Sequence, residues 1–227
     1  MSRLGAFHVT KHTGGKHSAT LFYFHGSGGT GENMKEWVRL MVDFAFPHIN
    51  VVYPTAPAQP YTPAGGLLSN VWFDRADISA EVPERLQSIA EIEKEVRHLI
   101  QKENEAGIPS NRIIVGGFSM GGCLALHTAY RWVRDVAGVF AFSSFLNENS
   151  IVYEDLQKSQ HNLPPLLQLH GNRDTMVQLV WGQSTFENLK KLGVKGEFHI
   201  LDRLDHSINK RGMNIIKKFV EEQLPPI

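Results

Sequence analysis

Arg112-Ile113-Ile114-Val115-Gly116-Gly117-Phe118-Ser119-Met120-Gly121-Gly122-Cys123-Leu124-Ala125-Leu126 decides the fold. Residues 112–116 form a short aliphatic and β-branched run, the composition of a strand covered on both faces. From Gly121 onward the residues are small and apolar, which predicts a buried helix over 121–133. Between the two, Gly117-Phe118-Ser119-Met120-Gly121 fits G-x-S-x-G. The pattern has a steric reason: a serine at the apex of a sharp strand-to-helix turn leaves no room for side chains at the flanking positions. Two glycines can also serve only to make a tight turn, so the partners of Ser119 must be sought elsewhere.

Working outward, short apolar runs alternate with amphipathic stretches, the pattern of a mostly parallel sheet covered by helices on both faces. Strands are predicted at 20–24, 49–53, 112–116, 136–142, 166–169 and 197–201, with a further N-terminal strand at 6–10. The clearest helix starts near Pro83, where Leu86, Ile89, Ile92, Val96, Leu99 and Ile100 recur at three- and four-residue steps. Pro83 suits its first turn and Gly107 its C-terminal stop. Other helices are predicted at 32–44, 178–192 and 210–222. Residues 54–77 break the alternation with four prolines, Gly65-Gly66 and the apolar group Leu67, Leu68, Val71, Trp72 and Phe73. A long loop in a compact domain is usually functional or disordered, and these aromatics favour a wall of the substrate site. No repeat or linker interrupts the chain, so residues 1–227 are expected to form a single domain.

A serine hydroxyl is a weak nucleophile near neutral pH and needs a base, which in turn needs an orienting carboxylate. In an α/β-hydrolase the order along the chain is Ser, then Asp or Glu, then His. Residues 166–169 run into His170-Gly171-Asn172-Arg173-Asp174, and residues 197–201 into Asp202-Arg203-Leu204-Asp205-His206. Each strand is thus followed by the group required, in the required order. Ser119, Asp174 and His206 are the expected nucleophile, orienting acid and general base of an α/β-hydrolase fold attacking esters or thioesters. His25-Gly26-Ser27-Gly28-Gly29 follows the first inner strand and can present the Ser27 amide to an oxyanion, beside the amide of Met120. A phosphate loop is excluded there, because no lysine follows in the G-x-x-x-x-G-K-[ST] pattern. His25 falls too early in the chain order to be the base. His25, His170 and His206 do not form a short-spaced metal-ligand set.

These residues together resemble the acyl-protein thioesterase and lysophospholipase family of small α/β-hydrolases. The likeness covers nearly the whole chain. It runs through His25-Gly26-Ser27-Gly28, Tyr53-Pro54-Thr55-Ala56-Pro57, Asn70-Val71-Trp72-Phe73-Asp74 and 116–122. It continues through Gly138-Val139-Phe140-Ala141, His170-Gly171 with Asp174, and His206. The resemblance implies hydrolysis of S-acyl groups from cysteine, or of small carboxylic or lysophospholipid esters, without a cofactor. It implies the Ser119–Asp174–His206 triad and places Trp72, Phe73 and Leu68 near the acyl chain. Two departures are visible: acyl-protein thioesterases carry Gln where this chain has Met120, and an N-terminal cysteine that is absent here. Both point to the lysophospholipase-like branch. The alternatives are a lysophospholipase, separated from a thioesterase only by pocket length, and a silent hydrolase fold used as a binding module.

Composition narrows the setting. The 227 residues carry 23 basic and 23 acidic side chains, so neither a nucleic-acid partner nor an anionic membrane surface is expected. Cys123 is the single cysteine, which rules out an internal disulfide and suits a reducing compartment. No signal peptide, transmembrane run or common lipid-anchor motif is read, so a cytoplasmic protein acting on acyl esters or thioesters, S-acylated proteins among them, is the expectation.

Overall fold

Alternate residues of the strand Ala19–Phe24 (β2) enter different cores. Leu21 and Tyr23 join one apolar cluster, while Phe22 and Phe24 join another. A strand buried on both sides requires helices above and below, and the computed structural model, which describes residues 4–158 and 162–227, has them. The outer strand Phe7–Thr10 (β1) pairs antiparallel with Ile49–Pro54 (β3). The remaining strands of the main sheet are Ile113–Phe118 (β6), Gly138–Phe142 (β7), Leu166–Gly171 (β8) and Gly196–Leu201 (β9), all parallel to their neighbours. The seven-stranded order is β1-β3-β2-β6-β7-β8-β9.

Helices Gly31–Met41 (α1) and Lys210–Gln223 (α6) put Met34, Val38, Met213, Ile216 and Val220 against one face. Helices Leu86–Glu105 (α2), Met120–His127 (α3) and Leu179–Lys191 (α5) cover the other, together with the short helix Ile151–Gln157 (α4). Every residue of α3 is buried, as a sequence apolar throughout except for His127 leads one to expect. The strand order reverses direction between β2 and β6. Connections leaving these two strands go to opposite sides, so a crevice opens at their carboxyl ends, the usual place for a ligand site in an open α/β sheet.

Several boundaries differ from the sequence expectation. The helix expected from Pro83 starts at Leu86, because Glu84 is held outside it by accepting from the Ile151 amide and facing His127 at 3.2 Å. The helix expected over 32–44 ends at Met41, where Val42 turns extended and Phe44 and Phe46 are drawn into the core. The helix expected over 121–133 is α-helical only to His127 and continues as a wider π-type turn, Thr128–Trp132. The 54–77 loop contains a hairpin, Ala58–Tyr61 (β4) and Leu67–Asn70 (β5), closed over Gly65 and Gly66, which both have positive φ. Its prolines and glycines conceal the strand signal, since they are the residues strands usually exclude.

Candidate active site

β6 ends at Phe118, and the next residue turns the chain sharply into α3. Ser119 has φ 54° and ψ −122°, a region that costs a residue with a side chain about 1–3 kcal/mol. The flanking glycines show what the turn requires. A Cβ on Gly117 would stand 2.3 Å from the Gly121 carbonyl carbon, and one on Gly121 would stand 2.2 Å from the Phe24 oxygen. With both bare, the Ser119 amide donates to the Phe142 carbonyl at 2.8 Å and its hydroxyl is left facing the crevice.

β8 and β9 deliver the partners. Parallel pairing sets Gly171 beside Leu201, so the loops that follow leave the sheet side by side. They are laced together by the Arg173 amide on the Leu204 carbonyl and by Asn172, whose side chain bonds both Asp202 and the Arg203 amide. Asp174 and His206 meet through this lacing although 32 residues separate them. His206 Nδ1 lies 2.8 Å from Asp174 Oδ2, and His206 Nε2 lies 3.0 Å from Ser119 Oγ. Of the acids nearer in sequence, Asp202 accepts from Asn172, and at Asp205 the main-chain carbonyl accepts the Ser207 amide.

The Asp174 side chain is fully buried, and burial favours its neutral form. Against that act the His206 hydrogen bond, the Val177 amide at 2.8 Å and the imidazoles of His206 and His170, which together hold the carboxyl below its usual range. His170 supports the same loop, its Nε2 donating to the Val177 carbonyl at 2.8 Å. Burial lowers its pKa and keeps it neutral.

His25 is a different kind of histidine. Its Nδ1 donates to the Gly26 carbonyl at 2.7 Å and its Nε2 accepts the Ala56 amide at 3.0 Å. Burial lowers its pKa to about 4, so it serves as a neutral brace for the 25–29 turn. That turn meets the elbow through Ser27 Oγ, which lies 3.7 Å from Met120 Sδ.

Ser119, His206, Ser27 and Met120 line a cavity of about 200 Å³ together with Tyr61, Arg75, Ser144 and Phe145. The residues expected at the acyl chain lie elsewhere. Trp72 is buried in the core, its indole N–H donating to the His25 carbonyl at 2.8 Å. Phe73 is buried beneath the Arg75 guanidinium, and Leu68 is 73% exposed on the hairpin. None of the three lines the cavity. The segment does reach the site, but through Tyr61 and Arg75. Neither residue is marked by a motif. Their signal was slight: an arginine directly after Trp72-Phe73-Asp74, in a segment already marked by its prolines.

A mostly parallel sheet with a serine at a strained turn after β6, hydrogen-bonded to a histidine and an aspartate from two later strand ends, defines an α/β-hydrolase of the serine type. Residues 6–224 match the phospholipase/carboxylesterase family, and the chain belongs to it. It is 49% identical to lysophospholipase-like protein 1 of Mus musculus, over 93% of this chain and 89% of that one. It is 34% identical to acyl-protein thioesterase 1 homolog 1 of Dictyostelium discoideum, over 92% of each. The crystal structure of Zea mays acyl-protein thioesterase 2 is 26% identical and superposes with a TM-score of 0.85, covering 97% of this chain and 99% of that one.

Proposed function

We propose that the chain hydrolyses short-chain carboxylic esters and thioesters, including S-acyl groups on cysteine, through an acyl-enzyme on Ser119. The observation that carries this is the unbroken chain from Ser119 Oγ to His206 Nε2 at 3.0 Å and from His206 Nδ1 to Asp174 at 2.8 Å. Asp174 holds the imidazole with Nδ1 protonated, which leaves Nε2 free to take the serine proton as Oγ attacks the carbonyl carbon. The oxyanion that forms lies between the two turns touching at Ser27 and Met120, and their amides are the donors assigned to it. His206 then gives its proton to the departing alcohol or thiol. Water repeats the sequence to release the acid.

Cavity size supports short acyl groups. About 200 Å³ lies below the roughly 300–1,000 Å³ of pockets that enclose a drug-sized ligand, which favours short acyl groups. A lysophospholipid ester shares the same chemistry and differs in the length it asks the pocket to hold. The single buried cysteine suits a cytoplasmic setting. Among the described residues no helix is long and apolar enough to cross a membrane.

The test is a thioester series from acetyl to palmitoyl, run beside labelling by a serine-directed fluorophosphonate. Fast labelling and kcat/KM highest for short chains are expected. A rate that climbs steadily to palmitoyl, by the roughly 0.8 kcal/mol that each accepted methylene contributes, contradicts the short pocket. Absence of both labelling and turnover contradicts the enzyme reading.

A further inference from the structure

The cavity that Ser119 lines is also lined by a buried cation. Arg75 keeps only 7% of its surface exposed, yet its Nε and Nη2 have no hydrogen-bond partner. Two rings sandwich the guanidinium, Phe73 with its centroid 5.2 Å from the guanidinium carbon and Phe145 at 5.3 Å. Cation–π contact offsets part of the desolvation but supplies no counter-charge. Among the described residues Arg75 makes no ion pair with a carboxylate. Glu84, the buried acid of this region, is taken up by His127 and the Ile151 amide. Burial pushes the Cys123 thiol up to about 12 against the pull of Arg75, so its sulfur stays protonated and neutral. An uncompensated buried charge is strongly unfavourable, and the fold nonetheless braces this one in place. Neighbouring Asp74 accepts from both the amide and the hydroxyl of Thr62 and pairs with Arg85, which pins the segment to the hairpin.

Two more of the residues lining the same cavity carry buried hydroxyls without partners: Tyr61, 5% exposed, and Ser144, 1% exposed. A guanidinium and two hydroxyls around one small cavity are what a carboxylate needs for charge and hydrogen bonds together. The departing thiol takes its proton from His206, whose side chain is 14% exposed, and the deeper burial of Arg75, Tyr61 and Ser144 favours the acyl side for these three.

We propose that Arg75, with Tyr61 and Ser144, forms an anion subsite that selects short acyl groups ending in a carboxylate, such as succinyl or glutaryl half-esters and half-thioesters. This rests on Ser119 as the nucleophile and extends that reading to the substrate. In the first step the Ser119 Oγ–acyl bond forms and the acyl–sulfur bond breaks, with His206 passing the serine proton to the thiolate. In the second, water attacks the acyl-enzyme, restores the Ser119 hydroxyl through His206, and releases the dicarboxylate.

The experiment compares kcat/KM for glutaryl and pentanoyl thioesters of one neutral thiol. These acyl groups match in length and differ in terminal charge. Wild type is expected to favour glutaryl by about 10- to 100-fold, the range of one charge-assisted hydrogen-bonded contact. Arg75→Met should bring the ratio to about one or below, and Arg75→Lys should keep part of the preference. If Arg75→Met does not fold, wild type alone decides: glutarate should slow fluorophosphonate labelling at concentrations where pentanoate does not. Turnover of both thioesters with no glutaryl preference, or equal protection by both acids, overturns the anion subsite and leaves the nucleophile standing. No labelling and no turnover of either thioester overturns both. Pentanoyl thioesters of 2-mercaptoethanesulfonate and 2-mercaptoethanol complete the test: a charge preference confined to this pair moves the anion to the leaving-group side and overturns the acyl placement.

Discussion

Ser119 and His206 enter the cavity from the carboxyl ends of β6 and β9, with Asp174 held behind His206 at the end of β8, whereas Tyr61 and Arg75 enter from the segment between β3 and α2. The first wall is fixed by parallel pairing. Phe118 is in register with Phe142, and Gly171 with Leu201, so the three groups have little freedom beyond their own rotamers. The second wall is fixed side chain by side chain: Asp74 on Thr62, Trp72 on the His25 carbonyl, and Arg75 between two rings. The contrast separates two tasks. Strand ends place the groups that must meet within hydrogen-bond distance, and the inserted segment shapes what can lie beside them.

If that division is right, damage to the first wall should dwarf damage to the second. Ser119→Ala should reduce kcat on an activated ester by on the order of 10⁶-fold while circular dichroism stays unchanged. Asp174→Asn should cost about 10³- to 10⁴-fold, because the imidazole loses the partner that fixes its tautomer. A loss under tenfold would mean that another acid orients His206. On the second wall, Trp72→Phe removes one buried hydrogen bond and some packing. Urea unfolding should show a loss of about 1–3 kcal/mol, with kcat/KM reduced less than in Asp174→Asn. A larger kinetic loss than that of Asp174→Asn would erase the distinction between the walls. The smallest effects belong to Asp202→Asn and Asp205→Asn, each expected within about tenfold of wild type in kcat as changes outside the hydrogen-bonded chain. Either one exceeding Asp174→Asn would move the third position to the local acid.

A histidine bracing the site, His25, sharpens the comparison by pH. His25 is neutral when folded, with its pKa lowered to about 4 by burial, against about 6.5 unfolded. Between these values the unfolded chain binds the proton and the folded chain does not. Stability is therefore full above about pH 6.5 and lost as pH falls towards about 4, by up to about 3 kcal/mol. His25→Gln should flatten that part of the curve in denaturant titrations. An unchanged slope would assign the acid sensitivity to another group.

The chemistry of the first wall could be read from residue order because each part has a local signature: the glycines around Ser119, and strand-then-acid or strand-then-histidine for Asp174 and His206. Which acid reaches His206 is a matter of sheet register, and sequence proximity favours Asp205, whose carboxylate does not engage the ring. The second wall had no such signature. Trp72 and Phe73 draw attention as large apolar residues in a loop, but burial of their rings releases more free energy than exposure in a pocket, and they pack inward. Arg75, looking like a surface charge, is carried inside on those same rings. The hairpin was hidden by Pro60, Gly65 and Gly66, and α4 by its seven-residue length, too short to display a helical period.

Peptide mapping of the trapped acyl-enzyme tests the central claim most directly. The protein is quenched in acid during turnover of a short-chain thioester, digested, and analysed by mass spectrometry. The acyl mass is predicted on the peptide containing Ser119 and on Ser119 within it, and is predicted to vanish in Ser119→Ala. An adduct on Ser27, Ser143, Ser144 or Cys123 instead, or one that persists in Ser119→Ala, would contradict the assignment of the nucleophile and the account of the site built on it.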